Sequence, residues 1–136
     1  MTGKTGKLVK RKKFWELEQY QKFIATVDDV HDKLVFDILF YTGMRTGEFL
    51  ALTIDDIDAT NNTISITKTM SRSNKPAPPK TPESIRVISV PQSIIQRILD
   101  YRAQFYDVGR SISHFTTYRT LYIAFRKYLL TSGLPE

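Results

Sequence analysis

The chain contains no cysteine, which excludes disulfide bonds and thiolate-bound metals. It also lacks an apolar run that approaches the roughly 20 residues of a membrane-spanning helix, and its first residues show no signal-peptide pattern. We therefore expect a soluble protein of the cell interior. At 136 residues, the chain has the length of a single domain.

The excess of positive charge is confined to the first 13 residues. They carry six basic side chains and no acidic one, whereas the remainder has 14 basic and 14 acidic residues. The net charge of +6 is thus a property of this segment, which we interpret as a flexible tail or linker before a folded domain at residues 14–136. Such a tail suits contact with nucleic acid, although a solvated terminus explains it equally well.

The most informative stretch is a turn between two apolar segments. Leu34–Tyr41 contains one charge and has the composition of a helix buried on most of its surface. Gly43 supplies the left-handed residue that ends such a helix, and a second helix is predicted from about Thr46. Arg45 therefore lies in a tight corner, where a rigidly held guanidinium matches two phosphate oxygens. A structural ion pair between Arg45 and Glu48 is an equally good interpretation.

The apolar pattern predicts an α+β fold, mainly helical, in which the helices pack with a small three-stranded antiparallel sheet. The predicted helices cover residues 14–27, 32–42, from about 46, 93–106 and 117–131. The predicted strands cover residues 63–67 and 85–90, and a short segment near Lys80 is the candidate third strand. Leu17 and Tyr122 are among the side chains expected to face the core.

A basic, proline-rich segment lies between Met70 and Thr81. Its three prolines exclude a helix and disfavour a regular central strand, so we expect an extended excursion. Between Lys68 and Arg86, five basic residues stand against one acidic residue, Glu83. The expected result is a sheet tip that projects positive side chains. The five basic residues are Lys68, Arg72, Lys75, Lys80 and Arg86.

Two motifs together resemble those of a known family. The run Tyr41–Glu48 (Tyr-Thr-Gly-Met-Arg-Thr-Gly-Glu) resembles the first arginine box of the tyrosine recombinases, or phage integrases. The run Pro79–Ile88 resembles the family's "KT-x-x-S-x-R-x-I" segment, which bears its catalytic lysine. Between them, Asp55–Thr67 resembles the family's entry into its sheet. Two motifs in the right order are more specific than either alone, and the resemblance extends over roughly residues 14–136.

The resemblance implies DNA strand exchange through a covalent 3′-phosphotyrosine, without a metal, nucleotide or other cofactor. Arg45 would bind the non-bridging oxygens of the scissile phosphate, and Lys80 would protonate the 5′ leaving oxygen as general acid. Glu48 matches the family's acidic position and would orient rather than react. The implied DNA contacts are Lys68, Arg72, Lys75, Thr81 and Arg86, although Arg86 could instead pair with a carboxylate. The implied partners are double-stranded DNA and further recombinase copies, a tetramer in the full-length form, in the bacterial cytoplasm and away from membranes.

The sequence also departs from the family pattern. Family members carry a His-x-x-Arg box and then the nucleophilic tyrosine, but neither His31 nor His114 begins such a box. We interpret both histidines as ordinary loop or helix-start residues. Tyr118, Tyr122 and Tyr128 have helical spacings that favour packing over a nucleophilic role. The chain is therefore expected to be a partial recombinase catalytic domain that does not cleave DNA alone, and to expose apolar surface.

Two other interpretations remain open at this point. One is a non-catalytic DNA-binding module that uses the same sheet and basic tail. The other is a structural helical domain that binds protein. DNA binding that weakens steeply with salt favours either DNA-binding interpretation over the protein-binding one.

Overall fold

The structure is a computed structural model that describes residues 15–79, 81–104 and 109–134. Five α-helices occur in these ranges: α1 (Leu17–Ile24), α2 (Val30–Thr42), α3 (Thr46–Leu50), α4 (Gln92–Gln104) and α5 (Tyr118–Ser132). The strands there are β1 (Ile57–Asp58), β2 (Thr63–Ile66), β3 (Thr69–Met70), β4 (Pro76–Ala77) and β5 (Arg86–Ser89). The predicted tail at residues 1–13 lies outside the described residues, as does Lys80.

A three-stranded antiparallel sheet is present, as predicted, with the strand order β1-β2-β5. Ile64 of β2 pairs with Ile57 on one side and with Ile88 on the other. The third strand is thus β1, which precedes the predicted strands. The basic excursion forms a separate two-stranded ribbon, in which Thr69 pairs with Ala77 and Met70 with Pro76. Pro76 fits there because a two-stranded ribbon leaves one side of each strand unpaired.

Local sequence signals define both ends of α2. The Asp29 side chain accepts a hydrogen bond from the Asp32 backbone N–H at 2.9 Å, which satisfies one of the free N–H groups of the first turn. The helix therefore begins at Val30, two residues before the predicted start. Gly43 ends it with φ of 69°, the left-handed conformation that the sequence predicted.

The core lies where α1, α2, α4 and α5 meet the buried face of the sheet. Helix α5 contributes Leu121, Tyr128 and Leu129, each 4% exposed. The fully buried side chains come from α1 to α4, from β2 and from the residue Val27 after α1: Phe23, Val27, Val35, Ile38, Phe49, Ile64, Ile66 and Ile98. A polar network reinforces the junction, because Asp37 of α2 accepts hydrogen bonds from Tyr20 of α1 and Arg97 of α4. Two predictions about the core are wrong: Leu17 is 51% exposed and Tyr122 is 55% exposed.

Within the described ranges, no helix is long and apolar enough to cross a membrane.

Candidate phosphate-binding and nucleic-acid site

Arg45 occupies the corner between α2 and α3. Met44, immediately before it, is buried, and the extended backbone of Arg45 (φ −74°, ψ 151°) places it at the N-cap position of α3. The Arg45 side chain itself is exposed. Within residues 15–79, 81–104 and 109–134, its guanidinium has no hydrogen bond and no ion pair. The corner therefore presents a cation to solvent on a fixed backbone.

Glu48 stabilises this corner through hydrogen bonds made inside the protein. It is only 4% exposed, and its Oε1 accepts a hydrogen bond from the Arg45 backbone N–H at 2.9 Å. Its carboxylate also receives two parallel hydrogen bonds from Arg86, each 3.0 Å long. The expected alternative of an Arg45–Glu48 ion pair is thus wrong: the ion-pair partner of Glu48 is Arg86. The hydrogen bond between Arg45 and Glu48 is made by the Arg45 backbone.

The protonation state of Glu48 follows from these contacts. Burial alone raises the pKa of a carboxyl, but the hydrogen bonds from Arg86 and from the Arg45 N–H outweigh it, so the pKa of Glu48 lies below its ordinary value. The same hydrogen bonds raise the pKa of Arg86. Glu48 is therefore a buried carboxylate anion, and Arg86 is the cation that compensates it.

Gly47 lets the ribbon approach the corner closely. A Cβ at this position would lie 2.3 Å from Tyr118 Oη and 2.6 Å from Thr69 Oγ1. Tyr118 in turn donates a hydrogen bond to the Met70 carbonyl at 2.8 Å. The glycine of the arginine box thus allows α3 to pack against β3.

The other predicted DNA-contacting residues differ in how far they are engaged within the protein. Lys68 forms an ion pair with Asp56 at 3.0 Å. The Arg72 guanidinium lies over the Tyr118 ring, 4.2 Å from its centre. Lys75, at the ribbon turn, is exposed.

The segment that follows Lys80 is tied to the same corner. Thr81 Oγ1 lies 3.0 Å from Ser84 Oγ, and Arg86 donates a third hydrogen bond, to the Ser84 carbonyl, at 2.8 Å. Since Arg86 also binds Glu48, the chain just after Lys80 is attached to the base of the Arg45 corner. The predicted general acid, Lys80, itself lies outside the described residues.

The structure also brings the two histidines together, which the sequence did not predict. The His31 and His114 rings are 3.9 Å apart, and His31 Nε2 lies 3.0 Å from Ser113 Oγ. Burial, and then the neighbouring His114, lower the pKa of His31 to about 4. The order Ser113–His31–Asp32 matches that of a hydrolase triad, but Ser113 is 3% exposed and so is closed to substrate.

An open groove of about 950 Å³ borders the corner at Gly43, Met44 and Thr46. Most of its wall is aromatic or aliphatic, from α1, α2 and α5. The apolar residues of this wall are Trp15, Tyr20, Phe23, Phe36, Leu39, Phe40, Tyr118, Leu121, Tyr122, Phe125 and Leu129. Exposed apolar surface was expected from the sequence. Tyr122 on the groove wall is 55% exposed, and other exposed apolar side chains, among them Val30 and Val87, lie outside the groove.

The sequence matches a known protein family. The model of the "Phage integrase family" matches residues 13–104. The ICEBs1 integrase of Bacillus subtilis (strain 168) is 34% identical over 92 residues, which is 64% of this chain and 25% of that protein.

Solved structures share the fold. XerA recombinase has a TM-score of 0.67 at 17% identity, over 90% of this chain and 44% of that chain. The Tn1549 transposon integrase, in complex with transposon right end DNA, has a TM-score of 0.57 at 23% identity, over 67% of this chain and 31% of that chain. The chain thus spans a quarter of the curated relative and less than half of either solved chain. The family match covers most of the chain, from α1 to the end of α4, and on that evidence the chain belongs to the phage integrase family of tyrosine recombinases.

Proposed function

We propose that this chain supplies the first arginine and the sheet lysine of a site-specific DNA recombinase, which breaks and rejoins DNA through a 3′-phosphotyrosine intermediate. Its substrate is double-stranded DNA, and the complete enzyme acts as a tetramer on DNA in the bacterial cytoplasm. Because the chain contains no His-x-x-Arg sequence, we further propose that alone it binds DNA but does not cleave it.

The observation that carries the proposal is the state of Arg45. A guanidinium normally finds a carboxylate partner, and the nearest buried carboxylate, Glu48, belongs instead to Arg86. Arg45 is left exposed on a backbone that Glu48 holds in place. A guanidinium on a fixed backbone, with no hydrogen bond or ion pair among the described residues, is suited to an incoming anion with two oxygens, such as a phosphodiester.

In the proposed mechanism, Arg45 neutralises the charge that develops on the non-bridging oxygens as the pentacoordinate transition state forms. Lys80 donates a proton to the 5′ leaving oxygen as general acid. Glu48 positions Arg45 and stays ionised. The second arginine and the tyrosine nucleophile come from polypeptide that supplies a His-x-x-Arg box.

The ribbon extends the positive surface away from the corner. Arg72 and Lys75 lie on its turn, and the packing of Gly47 against Thr69 attaches the ribbon to α3. We propose that these two side chains contact DNA phosphates beside the scissile one. Lys68 and Arg86 contribute less, because their charges already serve Asp56 and Glu48.

DNA binding by the isolated chain tests the first part of the proposal. We expect binding to duplex DNA whose affinity falls linearly with salt on a double-logarithmic plot. Arg45→Ala should weaken the affinity for DNA. It should also reduce the magnitude of the salt slope by the amount expected for the loss of about one phosphate contact. Lys33→Ala is the matched control, since Lys33 is exposed near the opposite end of α2. Equal losses in the two variants would contradict a specific role for Arg45.

Covalent trapping tests the second part. The chain would be mixed with the C-terminal portion of a family member that holds the His-x-x-Arg box and the tyrosine, together with a nicked suicide substrate. We expect a protein–DNA adduct on the tyrosine-bearing polypeptide, which is lost with Arg45→Ala or Lys80→Ala and absent when either polypeptide is omitted. DNA binding that depends on Arg45 without any adduct would instead indicate a non-catalytic DNA-binding module.

A further inference from the structure

Three potential metal ligands converge on the side of the molecule where α2 begins. His31 and Asp32 lie in the first turn of α2, and His114 lies in the segment before α5. One ligand atom from each residue can be chosen so that all three lie within 4.8 Å of one another. The set is two imidazoles and a carboxylate, the mixed nitrogen and oxygen donors that Zn²⁺ and related divalent ions bind.

The distance between His31 Nδ1 and Asp32 Oδ1 equals the separation expected for two ligand atoms of one metal ion. His31 Nδ1 lies 3.4 Å from Asp32 Oδ1, which is long for a hydrogen bond to a carboxylate, where about 2.8 Å is usual. Two ligands about 2.0–2.1 Å from a tetrahedral Zn²⁺ are separated by roughly 3.4 Å. The separation of the two atoms is therefore the one that a shared tetrahedral ion would require.

Each candidate ligand is held by a partner on its other polar atom. Ser113 Oγ binds His31 Nε2 at 3.0 Å, and Tyr128 donates a hydrogen bond to Asp32 Oδ2 at 2.7 Å. Tyr101 Oη lies 2.9 Å from His114 Nδ1. Outside these contacts, the remaining candidate ligand atoms are His31 Nδ1, Asp32 Oδ1 and His114 Nε2. Support of this kind orients metal ligands and raises their affinity.

Burial and charge agree with a site that is open on one side. His31 is 7% exposed, whereas His114 is exposed, so a cation can enter at His114 and its ring can adjust. Asp28 and Asp29 are close enough to act electrostatically on Tyr128, which itself binds Asp32. This negative charge offsets the unfavourable effect of the α2 N-terminus on a cation.

We propose that His31, Asp32 and His114 bind one divalent transition-metal ion of the Zn²⁺ class, with water in the fourth position. The site is independent of the recombination chemistry proposed above. Its effect is structural: the ion ties the start of α2 to the segment that leads into α5, two parts of the chain that are distant in sequence.

Cobalt titration tests the site directly, with protein that carries no affinity tag. The chain has two histidines and no cysteine, so any metal site that uses imidazole must use His31, His114 or both. We expect Co²⁺ to produce the intense visible bands of a four-coordinate complex, Zn²⁺ to remove them by competition, and Zn²⁺ to raise Tm. His114→Ala and Asp32→Asn should each weaken Zn²⁺ binding about tenfold or more.

Glu18→Gln is the matched control, because Glu18 is an exposed carboxylate on α1 outside the cluster. It should leave the bands and the Zn²⁺ affinity unchanged. His114→Ala replaces an exposed side chain, so its folding can be verified by circular dichroism before titration. Pale six-coordinate cobalt spectra, or equal metal affinity in the wild type and His114→Ala, would overturn the proposal.

Discussion

Glu48 and Arg86 form a bidentate ion pair that joins α3 to the first residue of β5, and both of its hydrogen bonds are 3.0 Å long. The same carboxylate accepts the Arg45 backbone N–H. One buried anion thus fixes the corner that carries the first arginine and the strand that follows the lysine segment. The two arginines have opposite roles, because one compensates a charge inside the protein and the other is available to a ligand.

This difference predicts unequal effects of removing each arginine on the free energy of unfolding. Arg86→Ala leaves the Glu48 carboxylate buried without its partner, and we expect a loss of about 2–3 kcal/mol in the free energy of unfolding. This is less than for a fully buried pair, since the Arg86 side chain is 36% exposed. Arg45→Ala should change it by no more than about 0.5 kcal/mol, as for other exposed side chains. Urea denaturation of both variants measures the difference.

A compensated double variant separates the lost ion pair from lost packing. Glu48→Gln combined with Arg86→Met removes the buried charge together with its partner, so it should be more stable than Arg86→Ala alone. A double variant as unstable as the sum of its two single changes would show that Glu48 and Arg86 are not energetically coupled.

The pKa of Glu48 predicts a pH dependence of stability. Because the folded-state pKa is lowered from the ordinary 4.5, the unfolded chain takes up a proton first as the pH falls. The stabilisation by Glu48 is therefore complete above about pH 4.5 and is lost as the pH falls through the folded-state pKa. Unfolding free energies of the wild type and Glu48→Gln, measured from pH 7 to pH 3, should differ most at pH 7 and converge in acid. A constant difference over this range would contradict the assignment.

The close packing at Gly47 predicts a steric effect that a second change relieves. In Gly47→Ala, the new methyl group would collide with Tyr118 Oη and Thr69 Oγ1, so we expect a loss of about 1–3 kcal/mol in unfolding free energy. Tyr118→Phe alone should cost about 1 kcal/mol, because the hydrogen bond to the Met70 carbonyl is lost. The double variant should lose less than the sum, since the colliding hydroxyl is gone; strict additivity would argue against this contact.

Replacing Gly43 should change the free energy of unfolding through backbone conformation alone. Its φ is 69°, and a Cβ there would meet no atom within 4 Å. Gly43→Ala should therefore destabilise the protein by about 1 kcal/mol through backbone strain alone. Gly43→Asn should cost less, because asparagine tolerates the left-handed region better than alanine. Equal losses for alanine and asparagine would indicate another cause.

The sequence predicted what is local in the chain. The α2–α3 corner and the glycine that ends α2 both follow from neighbouring residues, and each was found where expected. The sheet was also predicted, but not its third strand, since Ile57–Asp58 is too short to show an alternating pattern. Tyr122 was predicted to face the core because it lies next to Leu121 on α5, and the sequence pattern did not separate the buried face from the adjacent one.

Contacts between distant residues could not be predicted in the same way. Glu48 and Arg86 are 38 positions apart, so the sequence could offer several carboxylates for Arg86 but could not select one. The pairing of His31 with Ser113 spans 82 positions and has no local signal at all. Such contacts depend on how the helices and the sheet pack, which no pattern in a single segment encodes.

Trp15, the single tryptophan of the chain, packs against Phe23 of α1 and Phe125 of α5, with ring centres 4.9 and 5.9 Å away. Its fluorescence will therefore report the docking of the first helix onto the last one, and not the state of the sheet. Denaturation followed by this indole alone therefore reports only the interface between α1 and α5. A far-ultraviolet circular dichroism signal is needed to establish whether the rest of the protein unfolds at the same time.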